Sequence, residues 1–293
     1  MPSPPSGTVE RLRSLPFVLV GLRTADAPRP HPDTGASEDG WLDLCDVVVA
    51  EHELARRAIE QNLETMPIAA TALALLLRGQ RERDSGDGLV AESATYSVLQ
   101  AGPEFAAWRA RTPARTERND DTLRVHLDRR SDGAGDTLTL TLTRPTRLNA
   151  LEVALADPTL QVELRGEGES FCSGGYLDEF GTRPDPASAH LVRVSRSLGW
   201  MLHQLAARTC VHVHGPCRGS GVELPAFAGR VVAHPETTFA LPEVGLGLIP
   251  GAGGTVSLPR RIGRLGTAWL AFSGLTIDAE TALAWGLVDE ITT

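Results

Sequence analysis

Residues 210–255 read CVHVHGPCRGSGVELPAFAGRVVAHPETTFALPEVGLGLIPGAGGT, and the rest of the chain is organised around them. The apolar run Cys210, Val211 and Val213 predicts a buried strand. The small-residue turn Gly219-Ser220-Gly221 then leads into a helical run carrying Glu223. A second short strand (Val231, Val232) and a loop lead to Pro242-Glu243, and a glycine-rich turn follows at 250–254. Two carboxylates, 20 residues apart, each stand beside a tight glycine turn. Glycine lets a substrate approach the main chain closely, and the helix start after Ser220 offers unpaired N–H groups and a partial positive charge. The pattern is that of acid/base groups beside backbone donors.

The motifs G-x-G-V-E-L at 219–224, P-E-V-G-L-G-L-I-P-G-A-G-G-T at 242–255 and S-G-x-x-I-D-A-x-x-A-x-x-x-G-L-V at 273–288 resemble the crotonase (enoyl-CoA hydratase/isomerase) superfamily. The resemblance runs from about residue 137 to 289. It implies an α/β fold, a spiral of ββα units, over 119–293. It also implies an acyl-CoA substrate, no cofactor beyond the coenzyme A of that substrate, and a cytoplasmic homo-oligomer, a trimer or dimer of trimers.

Upstream, residues 1–40 are rich in Pro, Gly, Ser and Asp and read as a flexible segment, broken by an apolar run at 15–22 that could be a strand or an anchor. From Val47 the pattern turns helical, with Leu54, Ile59 and Leu63 on one face. Pro67 opens a second helix through residue 77, carrying Leu73, Leu75 and Leu77 and closed by Gly79. A third spans 89–99, and Pro103 opens a fourth. Residues 41–118 are therefore expected to be a helical region and linker without strands. Period two sets in at 122–127 and returns at 138–142, a hairpin-like pair around the turn 131–135. A strand is expected at 160–164. One amphipathic helix is expected to carry Leu191, Val194, Leu198, Leu202 and Leu205. Two departures from the superfamily stand out. Only residues 151–156 follow the R-P-x-x-x-N-A signature (144–150) before Asp157-Pro158 stops any helix, where relatives carry a long one. The chain also stops at Thr293, before the helices that usually cover the acyl-CoA site and build a trimer. The helical N-terminal region is the material available to replace that cover.

A net charge of −9, with no basic stripe, excludes a nucleic-acid footprint. There is no lysine, so Schiff-base chemistry is excluded and all 28 basic residues are arginine. The four cysteines form no CxxC pair and no zinc-ligand spacing, consistent with reduced core thiols. The N-terminus lacks a signal core, and the apolar run 66–77 is too short to span a bilayer. No membrane partner is expected.

By resemblance, the amides of Gly175 and Ser220 form the oxyanion hole for the thioester oxygen, where losing one donor costs roughly 3–4 kcal/mol. Ser173, Gly174, Tyr176, Leu177 and Gly219 belong to the same substrate-binding turns, and Gly251 helps place a water. Arg147 and Arg183 are candidates for the CoA phosphates. Ser220 is not a hydrolase nucleophile: a G-x-S-x-G elbow needs glycine at 218 and 222, where Arg218 and Val222 stand. The run 245–250 lacks the third glycine of a dinucleotide fingerprint. Glu223 and Glu243 are the acid/base pair, with Leu241, Pro242, Val222 and Leu224 supplying an apolar pocket that lifts their pKa values. The resemblance implies that keeping both favours hydration of a 2-enoyl-CoA over isomerisation, since hydratases of the superfamily retain both. Glu92, a candidate substrate-binding residue, and Tyr96 lie four apart on one helix face, in a segment that resembles the helical N-terminal domain of cofactor-free dioxygenases acting on dihydroxyphenylacetyl-CoA. Such a dioxygenase, an enoyl-CoA isomerase and a CoA-binding pseudoenzyme remain the alternatives.

Overall fold

Val211 sits at the centre of the core because its strand has neighbours on both sides. A computed structural model describes residues 6–23, 44–50, 54–114, 125–132, 135–142, 155, 157–182 and 185–292. In it the strands β3 (Val125–Asp132), β4 (Gly135–Leu142), β5 (Gln161–Gly166), β6 (Thr209–Val213), β8 (Arg230–Ala233) and β11 (Glu290–Ile291) form one six-stranded sheet. Its order is β11-β8-β6-β5-β4-β3, parallel except for the β3–β4 hairpin. The register puts Leu140, Leu164, Val211 and Val231 side by side, all buried. Such a row of large and β-branched apolar side chains is the stabilising unit of a covered sheet. A second, three-stranded sheet joins β7 (Pro216–Arg218), β9 (Thr238–Ala240) and β10 (Ile277–Asp278).

The N-terminal region is helical as expected: α2 (Leu54–Thr65), α3 (Pro67–Arg78), α4 (Ser85–Gln100) and α5 (Pro103–Arg111). It departs from expectation in two ways. Residues 47–50 form a strand, β2 (Val47–Ala50), parallel to β1 (Val20–Arg23). Three consecutive valines, stiff at χ1, favour an extended backbone over a helix. The first 23 residues also contain a helix, α1 (Ser6–Arg13). The pair β1–β2 is tied to α3 by a buried ion pair, Arg78 to Asp46 at 2.7 Å, and Asp46 also accepts from the Leu19 amide at 2.8 Å.

Helix α9 (Gly254–Ser273) joins the two halves. It bends at Gly263, whose φ of 71° is outside helical geometry, and touches α2, α3, α4 and β2. Ile59 and Leu73 lie in one continuous apolar cluster with Leu258, Ile262 and Phe272. Asn62 donates to the Phe272 carbonyl at 2.8 Å and Arg264 to that of Cys45 at 2.7 Å. Leu54 and Leu75, expected on the apolar faces, point to solvent instead.

The single helix expected over 191–205 is two, α6 (Pro186–Ser195) and α7 (Leu198–Leu205). Ser197 accepts from the Trp200 amide and caps a new start. Leu202 and Leu205 are buried, whereas Leu191 and Val194 are exposed. Among the described residues no helix is long and apolar enough to cross a membrane.

Candidate active site

The two glycine turns meet. Arg218, at the end of β7, donates its amide to Cys172 O at 3.2 Å and so docks the 172–175 segment on the start of α8 (Ser220–Glu223). Gly219 adopts φ 50°, a region that favours glycine. A Cβ there would lie 2.5 Å from Glu243 Oε1 and 3.9 Å from Gly174 Cα. Gly174, Gly175, Gly219, Ser220 and Glu243 therefore converge on one spot. Among the described residues neither the Gly175 nor the Ser220 amide is given to a carbonyl. Ser173, Gly175, Tyr176 and Leu177 are exposed, and Ser220 is half-buried. The Phe180 ring would lie 2.9 Å from a Cβ at 175, a close approach that glycine accommodates. Arg147 and Arg183 lie outside the described residues.

Three carboxylates are buried around this spot: Glu223, Glu243 and Glu92. Four consecutive amides opening α9 are divided between two of them. Ala252 and Gly254 donate to Glu223 Oε2, both at 2.8 Å. Gly253 donates to Glu92 Oε1 at 2.7 Å, and Thr255 donates its amide (2.8 Å) and hydroxyl (2.7 Å) to Glu92 Oε2. These are the unpaired N–H groups that every helix start presents. Glu243 is different: its buried Oε2 has no hydrogen-bond partner among the described residues.

Burial dominates the electrostatics, because it penalises the charged form. It pushes the Glu243 carboxyl up to about 8, with the charge of Glu92 adding to it. Glu92 rises to about 7, again through burial, against the pull of its bonds to Thr255 and Gly253 and of Arg193. Glu223 is raised well above the ordinary range by burial and then by Glu243 and Glu92. Three carboxyls are thus lifted toward neutrality in one place, a grouping that makes this spot the candidate active site.

The N-terminal helices reach this site directly. Tyr96 on α4 is buried, with the Arg193 guanidinium 4.4 Å from its ring centroid. A Cβ at Gly251 would lie 2.4 Å from the Tyr96 ring, so the phenol lies directly on the turn expected to hold a water. Arg109 on α5 donates to the carbonyls of Leu177 and Phe180 at 2.5 and 2.8 Å, steadying the turn that follows Gly175. No sequence signal pointed to Arg109 or to Arg193, because both act on distant parts of the chain. Glu92 was expected to touch substrate. In the structure both its oxygens accept from the α9 turn.

A sequence model of the family described as enoyl-CoA hydratase/isomerase matches residues 125–293. The chain belongs to that family. Solved structures agree: an enoyl-CoA hydratase from Thermoplasma volcanium is 29% identical with a TM-score of 0.51, the match covering 58% of this chain and 72% of that one. DspI of Pseudomonas aeruginosa is 25% identical with a TM-score of 0.50, over 61% and 71%. Enoyl-CoA hydratase subunit I from Geobacillus kaustophilus is 25% identical with a TM-score of 0.50, over 59% and 70%. The family's fold and its acyl-CoA chemistry thus apply to residues 125–293. The helices α2–α5 lie outside the matched span.

Proposed function

We propose that this chain moves a proton at the α-carbon of an acyl-CoA thioester, and that its reaction is the reversible hydration of a 2-enoyl-CoA. One observation carries the reading: among the described residues, Glu243 presents a buried carboxyl oxygen without a partner, beside two glycine turns whose Gly175 and Ser220 amides donate to no carbonyl. The Gly175 and Ser220 amides bind the thioester oxygen as it becomes an enolate oxygen. Glu223 takes both helix amides on Oε2, which leaves Oε1 to hold the water. As that water adds to the β-carbon, one carboxylate of the pair takes its proton and the other, protonated, delivers one to the α-carbon. The lifted pKa values keep a proton on the pair near neutral pH.

The Tyr96 ring on Gly251 favours a second reading. It covers the third anchor a hydratase water would use, and so suits chemistry with one acid/base group: enoyl-CoA isomerisation, or cofactor-free oxygenation of an aryl-acetyl-CoA. Crotonyl-CoA hydration by wild type, Glu223→Gln and Glu243→Gln separates the readings. Hydration by wild type that falls at least 100-fold in both variants supports the first. Equal rates in all three remove the mechanism. No hydration, with oxygen uptake on an aryl-acetyl-CoA, selects the second.

A further inference from the structure

We infer that Glu92, on the N-terminal helix α4, is a positioning residue for the reaction: it holds alternate amides of the turn opening α9 and thereby sets the two amides on which Glu223 rests. This rests on the enolate reading above and deepens it.

The argument is geometric. The amides of residues 252, 253, 254 and 255 point alternately to Glu223 and to Glu92. Gly253, with φ 105°, makes the alternation possible by turning successive peptides to opposite sides. Moving Glu92 therefore moves the peptides that carry the Ala252 and Gly254 amides. Glu92 meets three donors with two oxygens, so both oxygens are engaged by the turn. A carboxylate that merely capped a helix would leave the neighbouring site alone. This one faces Glu223 and Glu243, with Tyr96 beside it on its own helix and Arg193 across from α6. Arg260 on α9 is engaged one turn away with Ser85. The core's acid/base pair thus rests on a side chain supplied by a segment outside the family match.

The test uses full-length protein and acetoacetyl-CoA, a β-ketoacyl thioester whose enolate absorbs in the near ultraviolet. The absorbance of the bound ligand is followed against pH. Wild type should show an enolate band with a defined midpoint. Replacing Glu92 by Gln removes a negative charge beside the pair, so the complex loses its proton more easily and the midpoint should fall by about one pH unit. Thr255→Val removes one donor from Glu92 without adding a polar atom. It makes Glu92 harder to ionise and should shift the midpoint the same way, which keeps the test alive if Glu92→Gln does not fold. A wild-type midpoint in the variants that fold, with only ligand affinity or melting temperature reduced, overturns the positioning role. A wild type that binds the thioester without any enolate band sinks the enolate reading itself, and the positioning role with it.

Discussion

Replacing Glu243 by Gln should make the protein more stable while abolishing its proton transfer. The native carboxyl titrates at about 8 against an ordinary 4.5. Between those values the folded state binds the proton that the unfolded chain releases, so stability falls as pH rises through this window and recovers below it. Near pH 7 the penalty comes to about 3 kcal/mol, from 1.36 kcal/mol per pH unit. Glutamine does not titrate and escapes it, and Glu223 is relieved of a like charge as well. The buried amide N–H groups lack a designed acceptor and take back roughly 1 kcal/mol. The net gain is about 2 kcal/mol, or roughly 4 °C in Tm for a chain of this size. Near pH 5 the penalty has shrunk below about 1 kcal/mol, so the gain should vanish. Calorimetric melting of both proteins at the two pH values measures it. A variant less stable near pH 7, or equally more stable at both pH values, refutes the reasoning.

Three further outcomes follow from the packing. Gly221→Ala places a Cβ 2.0 Å from Cys172 O, a clash with backbone that should cost at least about 3 kcal/mol and is read from soluble yield and Tm. Ile59→Ala, at a fully buried position in the shared core, should cost about 2–5 kcal/mol; because the core is continuous, denaturant unfolding followed by Trp108 and by Trp269 should lose stability together, and separate transitions would contradict this. Arg109→Ala frees the Leu177 and Phe180 carbonyls and should raise KM for the acyl-CoA about tenfold or more through a looser oxyanion turn, with little change in Tm.

Much of the core was legible because its signals are local. The glycine turns at 219–221 and 250–254, with their glutamates, sit in contiguous motifs. The hairpin β3–β4 declares itself by period two, and α3 and α5 by proline at their starts and glycine just past or before them. What stayed hidden depends on partners. The Val47–Ala50 strand forms on a parallel neighbour 27 residues earlier. The break at 196–197 comes from one serine side chain inside an otherwise continuous apolar pattern. The grip of Arg109 spans 68 and 71 residues. Helical spacing placed Glu92 and Tyr96 on one face, and could not say that the face meets a turn some 160 residues away.

That distance has a consequence for how the protein is made. Glu92 reaches its donors across 161 and 163 residues, so the site cannot assemble until Thr255 has left the ribosome. Until then Ile59, Leu73 and Leu77 have nothing from α9 to cover them, and three carboxyls destined for burial stand in water as charged groups. Contacts this far apart in sequence form slowly, and unfinished intermediates with bare apolar faces aggregate. Recombinant yield should therefore respond to slower synthesis at low temperature and to chaperone supply more strongly than the final stability of the folded protein suggests.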